Sequence, residues 1–197
     1  VSEPDTIKNL TALPVQILKA FEIQSRAEKG LDEKQLVLQW ETARKAWQNA
    51  ADAADDDVEL KDFALHRAKL AFKHNEFQRA HREPDSDVAE QILVVLQNDT
   101  LLRNEWDVWY EHAMHCLNTA RANLDQDDPR PVLGTSISLL SKARVSLNRA
   151  SKLASAGIVD AGQATQISSN IRELNDWDKL ANTERALQNY LEPSSNT

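Results

Sequence analysis

Leu36–Ala54 reads LVLQWETARKAWQNAADAA, and its spacing decides the fold class. Leu36, Trp40, Ala43, Trp47, Ala50 and Ala54 recur at intervals of 4, 3, 4, 3 and 4 residues. An α-helix completes a turn every ~3.6 residues, so this set lines one face of a helix, whereas a strand would alternate every second residue. Asp32 and Gln35 stand ahead of it in capping-box positions, and Asp55-Asp56-Asp57 stops it.

The same grammar extends in both directions. Upstream, Pro14 suits the first turn of a helix whose face is marked by Val15, Leu18, Phe21 and Ser25, with Ile17 beside them. Gly30 suits its end. Downstream, Asp56 and Glu59 form the expected start of a third helix. Phe63, Leu70 and Phe77 repeat every seven residues along it, with Leu60, Arg67, His74 and His81 running alongside, and Pro84 ends it. Asp87 and Glu90 open a fourth helix, with a kink or break expected at Asn98-Asp99-Thr100, three poor helix formers in a row. Leu102, Trp106, Trp109, Ala113, Cys116, Leu117, Ala120 and Leu124 continue the apolar stripe. After the acidic, proline-bearing loop Asp125 to Pro131, a fifth helix carries Leu133, Ile137, Leu140, Leu147 and Ala154 and closes at Gly157. Asp160 and Gln163 cap the last helix, marked by Ile167, Ile171, Leu174, Trp177, Leu180, Ala181, Leu187 and Leu191 and ended by Pro193.

The expectation is therefore an all-α protein, a bundle of about six long amphipathic antiparallel helices joined by short loops. It places a flexible segment at 1–12, one helical-bundle domain at 13–192 with a sub-boundary near 84–87, and a disordered tail at 193–197. Only 4 Gly and 6 Pro in 197 residues agree with helices rather than hairpins. The longest pure apolar run is Ile92 to Leu96, too short to cross a bilayer. The single cysteine, Cys116, excludes an intramolecular disulfide and a cysteine-based zinc site, and it fits a reducing, cytoplasmic compartment.

Charge is unevenly distributed. Residues 61–82 hold six Lys/Arg against Asp62 and Glu76, a net of +4, and residues 129–159 hold five Lys/Arg and no acid, a net of +5. The whole chain carries −8, so the remainder holds −17. The residues proposed for a binding face are the flank Arg67, Lys73, His74 and His81 and the helix face Lys142, Arg149 and Lys152, interleaved with Ser138, Ser141 and Ser146. A Ser-rich basic face can hold phosphates. Pairing with the chain's own acidic helices, or with an acidic protein, is the more economical reading, because an acidic protein repels polyanions at long range and no aromatics interleave with the basic residues.

Three smaller constellations stand out in the sequence. Asp107, Glu111 and His115 share a face at i, i+4 and i+8, and His112 lies one turn from His115; a solvated face is the simpler reading, and no metal is expected. The Arg67-x6-His74 spacing resembles the Arg-x4–6-His motif of HEPN-type helical ribonucleases, in which the pair cleaves RNA at a dimer seam. That resemblance implies a transition-state role for the arginine and proton transfer by the histidine, but Ala68 stands where the family usually has a polar residue. The five tryptophans fall on apolar stripes and read as core. With no glycine-rich loop and no Ser/His/Asp elbow, neither a cofactor nor a small-molecule ligand is indicated. The functional expectation is a non-enzymatic protein–protein interaction or self-assembly module, with a protein partner or a homo-oligomer. The alternative is a nucleic-acid-binding or HEPN-like ribonuclease domain using the basic helices.

Overall fold

The computed structural model describes residues 3–29, 35–54, 57–157 and 160–191, with side chains from Val15 onward. The protein is all-α, with no strand among the described residues. The helices are α1 (Glu3–Lys29), α2 (Leu36–Ala53), α3 (Val58–Arg82), α4 (Ser86–Asn98), α5 (Trp106–Leu124), α6 (Leu133–Ala156) and α7 (Ala161–Leu191). Short 3-10 turns at Leu102–Asn104 and Arg130–Val132 precede α5 and α6. No described helix is long and apolar enough to cross a membrane. Helix contacts divide the chain into two compact units, Val1–Glu83 and Pro84–Thr197.

In the first unit, α2 packs against both α1 and α3. The face expected on α2 is the buried one: Trp40, Ala43, Trp47, Ala50 and Ala54 are all inside. Opposite them, α1 presents Ile17, Ala20, Ile23 and Ala27, and α3 presents Ala64, Ala68 and Ala71. The α1 face differs from the one expected, and of the expected α3 markers Phe77 is buried, Leu70 half-buried and Phe63 exposed. Val15, Leu18, Phe21 and Phe63, the large residues taken as core markers, stay substantially exposed. The physical reason is size: an alanine occupies little space between helices, so alanine faces permit close axes and leave room for the two indoles of α2. Trp47 is fully buried and donates its indole N–H to Gln24 Oε1 at 2.7 Å. Phe21 and Phe63 meet its ring edge-on at 4.8 and 5.8 Å between centroids.

α1 begins at Glu3, well ahead of the start expected near Pro14, which lies inside the helix. Pro4 stands in its first turn, where a missing N–H is tolerated. Asp57 caps α3, its carboxylate accepting from the Leu60 N–H at 3.1 Å. The capping acid of α4 is Asp85 rather than Asp87, accepting from the N–H groups of Asp87 and Val88. In both cases the acid adopts extended backbone just before the first helical residue, the conformation an N-cap requires. The expected features at Gly30, Asp32, Asp55, Asp56, Pro193 and the 193–197 tail lie outside the described residues.

In the second unit, α5 packs on α6, α6 on α7, and α4 on α5. The expected break between Asn98 and Thr100 is present. Asp99 accepts from the N–H groups of Leu101 and Leu102, capping the 3-10 turn that restarts the chain. Ala113, Leu117, Ala120 and Leu124 of α5 share a core with Leu140, Ala143 and Leu147 of α6 and Ile167, Leu174 and Ala181 of α7. Asp160 caps α7 through the Gln163 N–H at 2.9 Å. Ion pairs cross the same seams: Arg144 donates to Asp178 and Asn175, and Arg121 pairs with Glu173 while lying over the Trp177 ring.

Trp47→Ala should destabilise the first unit by about 3–5 kcal/mol, because it leaves an indole-sized cavity between faces made of alanine that cannot collapse into it. Trp109→Ala, at a half-buried position, should cost less. Urea denaturation followed by far-ultraviolet circular dichroism measures both.

Candidate functional site

The residues expected to form a basic binding flank on α3 are engaged at home. The Arg67 guanidinium lies over the rings of Phe21 and Phe63, 5.5 and 5.4 Å from their centroids. His74 stacks on Trp40 at 4.5 Å and meets Phe77 edge-on at 6.1 Å. Lys73 is only 3% exposed, so it is not part of an open basic face. His81 alone of this set is exposed.

On α6, Lys142, Arg149 and Lys152 do share an outward face. Lys142 Nζ pairs with Glu90 Oε1 of α4 at 2.6 Å, and the Arg149 guanidinium lies over the Trp109 ring at 6.0 Å. Ser146, expected among the exposed serines, is buried.

That serine leads to the densest polar cluster of the second unit. His112, expected on a solvated face, is 4% exposed. Its Nδ1 lies 2.9 Å from Ser146 Oγ, which also accepts from Gln97 Nε2 at 3.4 Å. With the imidazole proton on Nδ1 donated to Ser146, the lone pair of Nε2 faces inward. There it lies 3.8 Å from Cys116 Sγ, one turn further along α5, and 3.8 Å from Glu90 Oε1. Among the described residues, Glu90, His112 and Cys116 are the one group of His, Cys, Asp or Glu whose ligand atoms converge, all within 4.8 Å of one another. The expected trio of Asp107, Glu111 and His115 does not gather in this way: His115 Nε2 turns to the Ser86 carbonyl oxygen at 3.0 Å.

Position on the helix explains the cluster. Residues 112 and 116 are four apart and share a face, and that face is flanked by Ala113 and Ala120, small enough for α6 to cover it. Glu90 arrives from α4, and Lys142 from α6 closes the solvent side with a side chain about half exposed.

Burial governs the chemistry. It pushes the His112 imidazole below its ordinary value, as do the charges of His115 and Lys142, while Glu90 opposes them. It pushes the Cys116 thiol up to about 12, and the Glu90 charge adds to that rise. The Glu90 carboxylate beside Lys142 holds that amine above its ordinary value. A neutral imidazole next to a protonated, fully buried thiol is the opposite of a catalytic Cys–His pair, in which the thiolate is exposed and stabilised. The arrangement is instead a cage of one carboxylate, one imidazole nitrogen and one sulfur, with a hydrogen-bonded serine holding the ring.

Comparison of the chain with known protein families, with curated proteins and with solved structures finds no match.

Cys116 should resist alkylation by iodoacetamide at neutral pH in the native protein and react once guanidinium unfolds it, with mass spectrometry reading the adduct. The His112 shift has a definite sign. Its folded value lies below 6.5, so as pH falls through 6.5 the unfolded chain takes up a proton that the folded chain does not. Its share of stability is complete above 6.5 and is lost on acidification. His112→Asn, which keeps a donor for Ser146, should flatten the pH dependence of the urea midpoint in that window.

Proposed function

We propose that the protein is a non-enzymatic module of antiparallel helices that assembles with a second copy of itself through the C-terminal third of α7. The observation that carries this reading is a line of uncovered apolar side chains. Leu180, Leu187 and Leu191 follow one another at 7 and 4 residues, with Leu187 50% and Leu191 74% exposed and Tyr190, 82% exposed, beside them. The first part of α7 buries Ile167, Leu174 and Ala181 against its own unit; beyond Ala181 no described residue of α7 is buried. An apolar stripe at this spacing is the complement of another helix.

Charge favours a second copy as the occupant. α7 carries four acids and three bases, a net of −1, against −8 for the whole chain, so two α7 helices meet without strong repulsion. The basic residues of α3 and α6, on which a nucleic-acid reading depends, have ring and carboxylate partners within their own units, which lends that alternative less support.

Light scattering across a concentration series should show a monomer–dimer equilibrium that changes little with salt. Leu187→Glu together with Leu191→Glu should weaken it by at least ~10-fold, the effect of a loss of about 1.4 kcal/mol at a seam. A wild-type chain that stays monomeric at every concentration overturns the proposal.

A further inference from the structure

From the convergence of Glu90, His112 and Cys116 we infer, contrary to the expectation drawn from a single cysteine, a binding site for a thiophilic divalent cation of the zinc class, tying α4 to α5. Three observations carry it. The donor atoms are of the types zinc takes, one sulfur, one imidazole nitrogen and one carboxylate oxygen. Two of their separations, 3.8 Å from sulfur to nitrogen and 3.8 Å from nitrogen to oxygen, lie a few tenths of an ångström above the roughly 3.5 Å between ligands of a tetrahedral zinc, and all three atoms lie within 4.8 Å of one another. The third observation is the ring's support. Ser146 holds His112 by Nδ1, which fixes the orientation and aims Nε2 at the other two donors, as the outer partners of metal-bound histidines do.

Lys142 supplies the rest of the argument. Its ammonium lies 2.6 Å from the Glu90 oxygen that faces His112, so a positive charge already stands at the rim of the cage. An incoming cation competes with it for that oxygen, and the half-exposed lysine can swing into solvent. On binding, the Cys116 thiol gives its proton to water and the thiolate binds the cation; His112 enters neutral and Glu90 ionised, with no change of oxidation state. Three protein ligands leave a fourth position for water.

Cobalt(II) titrated into the tag-free chain 1–197 is the probe. The expected result is one equivalent bound per chain with an intense thiolate-to-cobalt charge-transfer absorption, displaced by zinc. Because the chain has a single cysteine, that band assigns the sulfur to Cys116 in the wild-type protein, without recourse to a variant that must fold. His112→Asn and Glu90→Gln should each weaken binding by more than ~10-fold, and Ser146→Ala by about 10-fold, the usual effect of losing an outer partner. Lys142→Met should tighten binding, because it removes the competing ammonium, an outcome that a merely structural polar cluster does not produce. A wild-type protein with no charge-transfer band at saturating cobalt overturns the inference. So does a band that persists at undiminished affinity in both His112→Asn and Glu90→Gln.

Discussion

Close approach of helices along alanine is the constraint from which the rest of the structure follows. In the first unit Ala43 and Ala50 of α2 are wholly buried against Ala20 and Ala27 of α1 and Ala64, Ala68 and Ala71 of α3. In the second, Ala113 and Ala120 of α5 and Ala143 of α6 do the same. Short side chains at a crossing let the axes draw toward the lower end of the usual 8–10 Å separation. Whatever lies beside those alanines is then covered, whether or not it is apolar. Burial of Asn75 on α3 and of His112 and Ser146 on α5 and α6 is the direct consequence.

The same closeness organises the polar groups it encloses. A buried polar atom without a partner is costly, so most enclosed groups turn to one nearby. Trp47 finds Gln24, Asn170 finds the Tyr110 hydroxyl oxygen, and His112 finds Ser146. Around His112 this produces more than mutual satisfaction. A ring held at one nitrogen, with sulfur and carboxylate set before the other, is organised before any ligand arrives, and the ordering cost of assembling three donors from two helices has been met by folding. Lys142 keeps the carboxylate compensated in the meantime.

The two surfaces proposed for function in the second unit have opposite characters. The Glu90–His112–Cys116 cage is small, polar and enclosed within one chain. The α7 stripe is apolar and open, on a helix that continues past its last buried residue. The basic residues that stand out in the sequence belong mainly to neither. Arg67, Arg121 and Arg149 spread over aromatic rings, and Arg144 holds α7 to α6, roles in which a planar cation covers apolar surface as well as carrying charge.

By itself the sequence determined the helical class and the helix ends near Pro84, Asn98, Asp125, Gly157 and Asp160, because periodicity, capping acids and prolines act over a few residues and leave local marks. Trp40, Ala43, Trp47, Ala50 and Ala54 were legible as one buried face, as was the break at Asp99. Only the tertiary structure decided which face of α1 and α3 turned inward. Phe21 and Phe63 carry more apolar area than Ala20 and Ala64, and a reading weighted by residue size chooses them. What settled the matter was how near a second helix could come, a property of pairs of helices that no single stretch records. The cage was hidden for the same reason. His112 and Cys116 stand four residues apart, but their spacing read as a solvated face for one and an apolar stripe for the other; Glu90 stands 22 residues earlier, and Ser146 and Lys142 lie on another helix again. Their meeting depends on the packing of α4 and α6 against α5, and with it the burial that turns an ordinary histidine and thiol into a neutral, preorganised pair.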